Sequence, residues 1–382
     1  MLVVRQRAAD FLRKEAVLCA AVLLAAVSAC FVRPSRAYFD YIDWDTLALL
    51  FSLMAVVQGL QQAGVFLYLG NRLLRRTKNT RWLLAVLVGL PFVCSMAVTN
   101  DVSLLTFVPF AVAVLKAAGC AGLILPAVVL QTVAANLGSM LTPMGNPQNL
   151  YLYARAGLGF GGLCALMAPF VLLSAVGLGV FCFARRAEPV RPVEMPARLG
   201  GKKTIAAYLL GFAVCLLGLF DVMSPVVVAL LFAAVLLVLD RGVLKRVDYS
   251  LLGTFVAFFI FVGNLGALPA FREFLSGLLE AHAGLTAVLA SQVISNVPAA
   301  LLLSGFTDQT AALLVGCNLG GLGTLIASMA SLISYRAVAA DCPQKRGAYL
   351  LRFTAYNVMF LAALLALGLL LSKTTDFWAG TL

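Results

Sequence analysis

The sequence predicts an all-α polytopic membrane protein whose chain contains two related repeats. Hydrophobic residues make up 62% of the 382 residues and charged residues only 12%, whereas a soluble domain is about 25% charged. Runs of about twenty apolar residues, the length that one bilayer crossing needs, recur along the chain. A short polar cluster at Thr99-Asn100 and a glycine-rich run from Asn136 return later as Ser295-Asn296 and a run from Asn318.

Apolar length places the membrane crossings. We expect uninterrupted helices near residues 15–32, 47–69, 158–184, 204–220, 224–239, 250–270 and 347–372. Two further crossings, 118–155 and 310–335, are broken by the glycine-rich runs. Polar, non-helical backbone at membrane depth is tolerated only where it is buried in protein or lines a cavity. The two broken helices therefore predict a binding site.

The remaining apolar segments, 82–116 and 284–306, each carry a polar tip halfway along. The first tip is Thr99-Asn100-Asp101 and the second is Ser295-Asn296-Val297. We interpret both segments as re-entrant hairpins. Counting either one as a crossing would invert everything after it and damage the distribution of basic residues.

The basic residues set the orientation. With the N-terminus inside, 23 of the 28 Lys and Arg residues fall in cytoplasmic segments, and only Arg33, Arg36, Arg155, Arg272 and Lys373 fall outside. This asymmetry is the positive-inside pattern of membrane proteins. It predicts about nine crossings and two hairpins, with the C-terminus outside. The helices at 47–69 and 250–270 then run in opposite directions, so the repeats have inverted topology.

This topology divides the chain into three parts. The first inverted repeat covers 1–184, a cytoplasmic linker covers 185–203, and an extra helix with the second inverted repeat covers 204–382. Scaffold helices are expected near 15–69 and 204–270. The linker is rich in Pro, Arg and Glu, and it either joins two halves that move relative to each other or forms a plain solvated loop.

Composition argues against other classes of protein. The net charge of +12 does not indicate a nucleic-acid partner, because the basic residues fall in short clusters between apolar spans. The nine cysteines lie mostly in apolar runs and show neither a disulfide framework nor zinc spacing. His282 is the only histidine, so the sequence offers no constellation for metal or Ser–His catalysis. We expect no enzyme and no cofactor beyond a coupling ion.

Asp101 is the only ionisable side chain that the predicted topology places deep in the membrane. A carboxylate at mid-bilayer costs roughly 2.5 to 3.5 kcal/mol on insertion scales, which makes a functional role the default hypothesis. Ionised, Asp101 would ligate a cation such as Na⁺ beside the Thr99 hydroxyl and the Asn100 amide. With a pKa raised by burial, it would carry a proton. The alternative is a helix-capping role.

Asn100 and Asn296 lie at equivalent hairpin tips. An amide is both donor and acceptor, so it can bridge a cation and an anion in one site. Helices that begin at these tips would also direct the positive ends of their dipoles at the site, which favours an anion. The alternative for either asparagine is polar contact between helices.

The two broken segments align residue for residue, from Asn136 to Asn149 and from Asn318 to Ser331. Gly and Pro free backbone carbonyls from helical bonding, and Asn, Thr and Ser add side-chain oxygens. This combination suits an alkali cation, although a packing kink is the alternative. The candidate ion-coupling residues are Asp101, Asn100, Asn136, Gly138, Thr142, Pro143, Gly145, Asn146, Asn296, Asn318, Gly320, Thr324 and Ser328. Within this set, Na⁺ is assigned to one site at Asp101, Asn100, Asn136 and Thr142, and to a second at Asn296, Asn318 and Thr324.

These motifs resemble those of the ion transporter superfamily, which holds the divalent anion:sodium symporters, citrate permeases, arsenite pumps and NhaD-type antiporters. The resemblance is carried by Thr99-Asn100-Asp101 through Pro109, by Ser295-Asn296-Val297-Pro298, and by the runs that begin at Asn136 and Asn318. It implies a homodimer of the elevator type. In such a dimer the hairpins, the broken helices and the helices at 158–184 and 347–372 slide against a fixed scaffold.

In the divalent-anion members, a Ser-Asn-Thr triplet at each hairpin tip binds substrate carboxylate and sodium. The resemblance therefore implies a substrate site formed by Thr99, Asn100, Ser295, Asn296, Val297, Asn149 and Ser331. Asp101 and Val297 replace the third-position threonines of the triplets. Loss of both hydroxyls weakens the case for a dicarboxylate, and the Asn-Asp pair is closer to arsenite-pump members.

The leading functional prediction is a secondary active transporter of a small anion, a carboxylate or an inorganic oxyanion, coupled to Na⁺ or H⁺. The partners would be the anion and the lipid bilayer of a bacterial cytoplasmic (inner) membrane. The alternatives are a Na⁺/H⁺ antiporter, an arsenite-type efflux permease and, less favoured, an ion channel. No ATP-binding Gly-x-x-x-x-Gly-Lys-Ser/Thr motif is present, so primary active transport would need a separate ATPase subunit. The predicted secondary transport requires none.

Overall fold

The computed structural model describes residues 15–190, 193, 195–196, 198–341 and 343–374. The chain ends at 1–14 and 375–382 lie outside the described residues, as do the predictions made for them. Over the described residues the protein is helical, with a single isolated β-bridge between Asn79 and Pro189.

The α-helices, in chain order, are α1 Ala16–Ala29, α2 Ala37–Tyr41, α3 Trp44–Gln62, α4 Val65–Leu74, α5 Thr80–Cys94, α6 Asn100–Ala117, α7 Ile124–Ser139, α8 Pro147–Ala156, α9 Gly159–Phe183, α10 Lys202–Leu219, α11 Pro225–Leu239, α12 Arg241–Leu244, α13 Tyr249–Gly266, α14 Pro269–Ile294, α15 Asn296–Leu303, α16 Thr310–Gly320, α17 Met329–Asp341 and α18 Arg346–Thr374. Short 3₁₀ helices cover Ala121–Leu123, Pro143–Gly145 and Pro343–Lys345.

Within the described part of the chain, eight helices are long and apolar enough to cross a membrane, judged by length and composition alone. They are Trp44–Gln62, Asn100–Ala117, Ala121–Ser139, Gly159–Phe183, Lys202–Leu219, Tyr249–Gly266, Pro269–Ile294 and Pro343–Lys373. The prediction of an all-α polytopic membrane protein is confirmed. The orientation of the helices, the re-entrant path of the hairpins and the inversion of the repeats stay predictions.

The chain divides into two compact units. The first contains 1–55, 214–281 and 301–308, and the second contains 56–213, 282–300 and 309–382. In the first unit, α1 packs against α13. The Asn264 amide joins this contact by donating to the Ser28 hydroxyl and to the Tyr38 hydroxyl, both at 2.9 Å.

The second unit contains every residue that the sequence nominates for a site. Its centre is α7, in which all sixteen residues are buried. A helix that is hydrophobic all round belongs in the interior of a protein or membrane. The helices α5, α6, α9, α17 and α18 all pack against α7. The helix that leads into the first break is thus the most enclosed element of this unit.

A proline-containing helix in the second unit is held by a buried glutamine. Pro91 lies inside α5 and lacks the N–H that would bond the carbonyl four residues earlier, that of Leu87. The Gln131 side chain on α7 donates to this carbonyl at 2.8 Å. It also donates to the Phe107 carbonyl on α6 at 3.2 Å. One amide therefore joins both arms of the first hairpin to the broken helix.

The prediction of a single helix at 47–69 is wrong. α3 ends at Gln62 and α4 begins at Val65, with Gly64 between them in the left-handed region at φ 72°. A Cβ at Gly64 would lie 2.4 Å from the carbonyl oxygen of Arg198, so both the backbone angle and the close approach require glycine. Gln61 and Gln62 interrupt the apolar sequence just before Gly64, and a prediction based on overall apolar length extended one helix across this interruption.

The segment expected as the second hairpin, 284–306, differs at both ends. α14 begins well upstream at Pro269 and continues to Ile294, with a kink at His282, where φ is −147° and ψ is 54°. His282 therefore lies at a kink between two helical stretches. The return arm, α15, ends at Leu303 after eight residues.

The linker at 185–203 is held along its described length. The Thr80 hydroxyl donates to the Arg186 carbonyl at 2.9 Å. The Asn71 side chain donates to the carbonyl of Met195 at 2.7 Å and accepts from its N–H at 3.1 Å. Further along, the Gly200 N–H donates to the Ala63 carbonyl at 2.9 Å. The linker is thus fixed at three points to the chain between residues 63 and 80.

Candidate functional site

The two broken helices are interrupted at corresponding points. α7 ends at Ser139 and α8 begins at Pro147, which defines the first break as residues 140–146. α16 ends at Gly320 and α17 begins at Met329, which defines the second break as residues 321–328. Pro147 occupies the first turn of α8, where its missing N–H costs nothing. Met329 follows Pro147 by 182 residues, the same separation as between Asn136 and Asn318.

The two hairpin tips also correspond. α6 begins at Asn100 and α15 begins at Asn296, 196 residues later. Both asparagines are buried. The first hairpin comprises α5, α6 and the turn between them. The second hairpin comprises α14 after His282, then Ser295 and α15.

Each hairpin contacts its break through the same hydrogen bond. The Thr142 hydroxyl donates to the carbonyl of Met96. The Thr324 hydroxyl donates to the carbonyl of Gln292 at 3.0 Å. Gln292 follows Met96 by 196 residues and Thr324 follows Thr142 by 182. The two hydrogen bonds therefore join equivalent residues of the two repeats.

Glycines bring hairpin and broken helix together in both repeats. A Cβ at Gly138 would lie 1.9 Å from the Phe92 carbonyl oxygen, and one at Gly320 would lie 2.6 Å from the Ser291 hydroxyl oxygen and 3.1 Å from the Val288 Cα. Val288 follows Phe92 by the same 196 residues. Only glycine permits backbones this close.

Asn136 joins the first repeat to the second break. Its Oδ1 accepts from the Asn100 amide at 2.9 Å and from the Ser328 hydroxyl at 3.1 Å. Its own amide donates to the Gly321 carbonyl at 3.4 Å. A Cβ on Gly321 would lie 2.9 Å from the Asn296 amide nitrogen. The first hairpin tip and the second break therefore meet at the buried Asn136 amide, and the Asn296 side chain of the second tip lies beside Gly321.

A second buried link joins Asn318 to Asn149. The Asn318 amide donates to Asn149 Oδ1 at 2.7 Å. The Asn149 amide donates to the carbonyls of Ser139 at 3.1 Å and Thr142 at 3.3 Å. Asn146 donates to the Ser139 hydroxyl at 2.6 Å. The first break is thus held in shape by side chains of its own segment.

Several buried polar atoms near these links have no partner among the described residues. They are Asn318 Oδ1, Ser331 Oγ and both amide atoms of Gln148. Gln148 and Ser331 are fully buried. A buried polar group without a partner costs about 1 to 3 kcal/mol, so these atoms are available to a ligand. The sequence nominated Asn318 and Ser331 but missed Gln148, although it lies in the same motif as Asn149.

Ser295 has a strained backbone at the second tip. Its φ of 74° is in the left-handed region, which non-glycine residues rarely adopt. Its hydroxyl and the Asn296 N–H both donate to the Ala327 carbonyl, at 3.3 and 3.0 Å. Strain of this kind persists where surrounding contacts over-determine the conformation, and it clusters at functional sites.

Gln292 is a second residue that the sequence did not nominate. Its Nε2 donates to the carbonyls of Gly320 at 2.9 Å and Leu322 at 3.0 Å. Its Oε1 accepts from the Thr324 N–H at 2.9 Å. The equivalent residue of the first repeat is Met96, so no repeated motif indicated a role for Gln292.

The other nominated residues lie on the same elements. Thr99 precedes α6, and Asp101 and Val297 lie in the first turns of α6 and α15; all three are half-buried. Pro143 and Gly145 are buried in the short helix of the first break. A carboxylate in the first turn of a helix is stabilised by the helix dipole, so Asp101 is compatible with both capping and ion binding.

The nominated site consists mainly of uncharged polar groups, with Asp101 as its one carboxylate. Its side chains are amides and hydroxyls apart from Asp101, and its backbone is broken where carbonyls and N–H groups converge. Such groups bind small ions and polar molecules without covalent chemistry. Buried polar breaks within a set of apolar helices are typical of membrane transporters.

Comparison with known proteins supports the same class, membrane transporters. The model of the family described as "Citrate transporter" matches residues 1–333. The inner membrane protein YbiR of Escherichia coli is 34% identical over 302 residues, covering 77% of this chain and 80% of YbiR. The uncharacterized transporter MJ0456 of Methanocaldococcus jannaschii is 29% identical over 299 residues, 78% of this chain and 82% of that protein. The putative transporter arsB of Dictyostelium discoideum is 29% identical over 119 residues, 31% of this chain and 21% of arsB.

These matches define the class as membrane transporters. The chain belongs to the citrate transporter family, within the superfamily that its motifs resemble.

Proposed function

We propose that the protein is a secondary active transporter of a small anion, a carboxylate or an inorganic oxyanion, in the cytoplasmic membrane. Transport would be coupled to Na⁺ or H⁺. The membership of the citrate transporter family supports an anionic substrate, and the name of the relative YbiR supports the location.

The observation that carries the proposal is the meeting of the first hairpin tip and the second break at Asn136, with the Asn296 side chain of the second tip beside Gly321. α6 and α15 both begin at buried asparagines, so the N-termini of two helices lie close to this site. N-terminal N–H groups and the helix dipole favour an anion. The amide donors and the Ser295 hydroxyl add neutral hydrogen bonds. We propose Gln148, Asn149, Asn318 and Ser331 as further contacts with the substrate.

The coupling ion would bind beside the anion. Asn100 and Asp101 lie in the first turn of α6, Asn136 lies on α7 just before the first break, and Thr142 lies within that break. Ionised, Asp101 supplies a hard oxygen for Na⁺; protonated, it carries H⁺. Cation/proton antiport at Asp101 without an anion is the second candidate, because this carboxylate is the one charged group of the site.

Transport would follow an elevator movement of the hairpins and broken helices, in a homodimer with inverted repeats.

One observation supports the predicted topology, which places the ends of α6 and α17 on the same side of the membrane: Lys116 at the end of α6 forms an ion pair with Asp341 at the end of α17. The predicted topology also places both residues in the cytoplasm. Cysteines at Asp43 and at Arg198, introduced into a background without other cysteines, would be labelled from outside and from inside, respectively. Labelling of the residue 198 site from outside would contradict the topology.

The deciding experiment is uptake into proteoliposomes with imposed Na⁺ or H⁺ gradients, across carboxylates, sulfate, phosphate and arsenite. We expect gradient-driven uptake of one anion class that disappears when the gradient is collapsed. Cation exchange that proceeds equally without any anion would instead favour antiport. Passive flux that ignores both gradients would contradict a secondary active transporter of either kind.

A further inference from the structure

Helix α4 has an exposed face that mixes apolar and basic residues. The helix has ten residues and is about 15 Å long, whereas a membrane crossing must cover about 30 Å. Tyr68, Leu69 and Leu73 are 44, 40 and 39% exposed. Arg72 in the last turn and Arg76 just beyond the end of the helix are exposed as well. This face therefore suits neither the centre of a bilayer nor water alone.

The opposite face of α4 is held against the rest of the second unit. A Cβ on Gly70 would lie 2.9 Å from the Phe110 ring of α6, so the two helices are in close contact there. Leu74 is buried, and the Asn71 side chain forms its two hydrogen bonds with the backbone of Met195 in the linker. Successive residues of a helix are about 100° apart, which places these three α4 residues opposite the exposed ones. The exposed face therefore has a fixed direction relative to the linker and the first hairpin.

The charge of this part of the chain has one sign. There is no Asp or Glu between Thr46 and Asn100. The same stretch contains five basic residues close together, which are Arg72, Arg75, Arg76, Lys78 and Arg81. The predicted topology places them in the cytoplasm. Anionic headgroups give the cytoplasmic leaflet a negative surface potential that attracts Lys and Arg beside the membrane. Charge complementarity therefore favours these headgroups as the partner of α4.

We propose that the exposed face of α4 binds anionic phospholipids of the cytoplasmic leaflet. Tyr68, Leu69 and Leu73 pack against the upper part of the acyl chains, and the long side chains of Arg72 and Arg76 reach the phosphates. A soluble phosphate compound would use the arginines and leave the apolar residues between them exposed. An arginine near a helix C-terminus also favours the helix dipole, but this role gives no account of the exposed apolar neighbours.

The proposal is tested by fluorescence quenching with brominated phospholipids in vesicles that contain the full-length protein. Tyr68→Trp places a reporter on the exposed face, in a background with Trp44→Phe, Trp82→Phe and Trp378→Phe. The vesicles contain phosphatidylcholine with an equal fraction of either brominated phosphatidylglycerol or brominated phosphatidylcholine. We expect the anionic lipid to be preferred about fivefold for each arginine that reaches a phosphate. The preference should decrease as the salt concentration rises.

Arg72→Gln/Arg76→Gln should abolish the preference, because it removes both charges and keeps long polar side chains. The matched control is Lys245→Gln/Arg246→Gln, an exposed basic pair that the topology also places in the cytoplasm; it should leave the preference unchanged. Size-exclusion profiles show whether each variant is folded. Native mass spectrometry needs no reporter, so it maintains the test if the tryptophan-substituted background does not fold. The arginine variant should then retain less phosphatidylglycerol than the unsubstituted protein.

Three results would overturn the proposal. Equal quenching by the two lipids would show that the face does not select anionic headgroups. Quenching by neither lipid would show that the face lies in water or against another protein surface. A preference that survives the loss of both arginines would show that they do not hold the headgroup. Each readout is independent of substrate and coupling ion, so the proposed transport function and this lipid site can fail separately.

Discussion

Asn100 at the first hairpin tip and Asn136 at the end of α7 share a buried hydrogen bond of 2.9 Å, in which the amide of Asn100 donates to Oδ1 of Asn136. The same oxygen accepts the Ser328 hydroxyl from the second break. Movement of either asparagine would therefore disturb both repeats. The structure of the site therefore depends on residues from two distant parts of the sequence.

Asn100→Ala and Asn136→Ala should each reduce transport at least tenfold. Asn136→Ala removes the acceptor of the buried Asn100 amide and also the bonds to Ser328 and Gly321, whereas Asn100→Ala removes one of the two donors to Asn136 Oδ1; an unsatisfied buried group costs about 1 to 3 kcal/mol. The double variant should lose little more than Asn136→Ala alone, because that change already removes the bond that the two residues share. Initial uptake rates, normalised to folded protein, measure the effect.

Asn264→Ala is the matched control for this pair. Asn264 is also a buried asparagine that donates two hydrogen bonds, but it lies in the first unit. It should lower the unfolding temperature while leaving the affinity for substrate unchanged. Additive losses in the Asn100/Asn136 double variant would show that the two residues act separately.

Gly138→Ala should prevent the first hairpin from packing against α7. The new Cβ would lie 1.9 Å from a backbone oxygen, which cannot move aside as a side chain can. We expect a loss of several kcal/mol or failure to fold. Gly89→Ala on α5 is the control, since nothing lies within 4 Å of its Cβ. Equal unfolding temperatures for both variants would contradict the close packing.

Ser295→Gly should separate backbone strain from side-chain function. Glycine adopts φ of 74° at little cost, so the folded protein should be as stable as before or slightly more stable. Loss of the hydroxyl should nevertheless weaken transport. Ser295→Ala, which keeps the strain, should weaken transport and stability together. Full transport by Ser295→Gly would exclude the hydroxyl from the site.

Asp101→Asn should abolish ion coupling while preserving the fold, since a neutral amide is easier to bury than a carboxylate. If Na⁺ is the coupling ion, transport by the unsubstituted protein should saturate with Na⁺ and change little with pH once the carboxylate is ionised. If H⁺ couples, a pH gradient alone should drive uptake. A variant that remains fully driven by the gradient would leave helix capping as the role of Asp101.

The docked linker makes a separate prediction at Cys120, in the turn after α6. Burial raises the pKa of the Cys120 thiol, and the nearby Glu188 carboxylate of the linker raises it further. Because the thiolate is the nucleophile, Glu188→Gln should lower this pKa and speed maleimide labelling near neutral pH. The other cysteines would be replaced beforehand. An unchanged pH profile of labelling would show that the linker does not lie against this turn.

The sequence located the hairpin tips and both breaks because glycine, proline and asparagine interrupt long apolar runs there. The observed restarts of helices at Pro147 and Met329 follow directly from that pattern. The end of α3 was missed, because overall apolar length does not register the short polar interruption at Gln61 and Gln62, and because the role of Gly64 depends on the approach of Arg198.

The glutamines of the second unit were missed for a different reason. Gln131 and Gln292 act on carbonyls that are 24 to 44 residues away in sequence. Those pairings exist only after the helices have packed, and neither glutamine recurs in the other repeat. Periodicity and motif matching detect what repeats along a chain, so they do not detect a side chain used once.

The attachment of the linker has a consequence for how the protein is made. Its described backbone and side-chain hydrogen bonds to the chain between Ala63 and Arg81 all go to residues that precede it. A ribosome that has synthesised the linker has therefore already supplied every partner it needs, and these bonds can form during translation. The bonds of Asn136 to Gly321 and Ser328 must wait for residues made much later. Synthesis would thus complete a tethered first half in the membrane before the binding site exists.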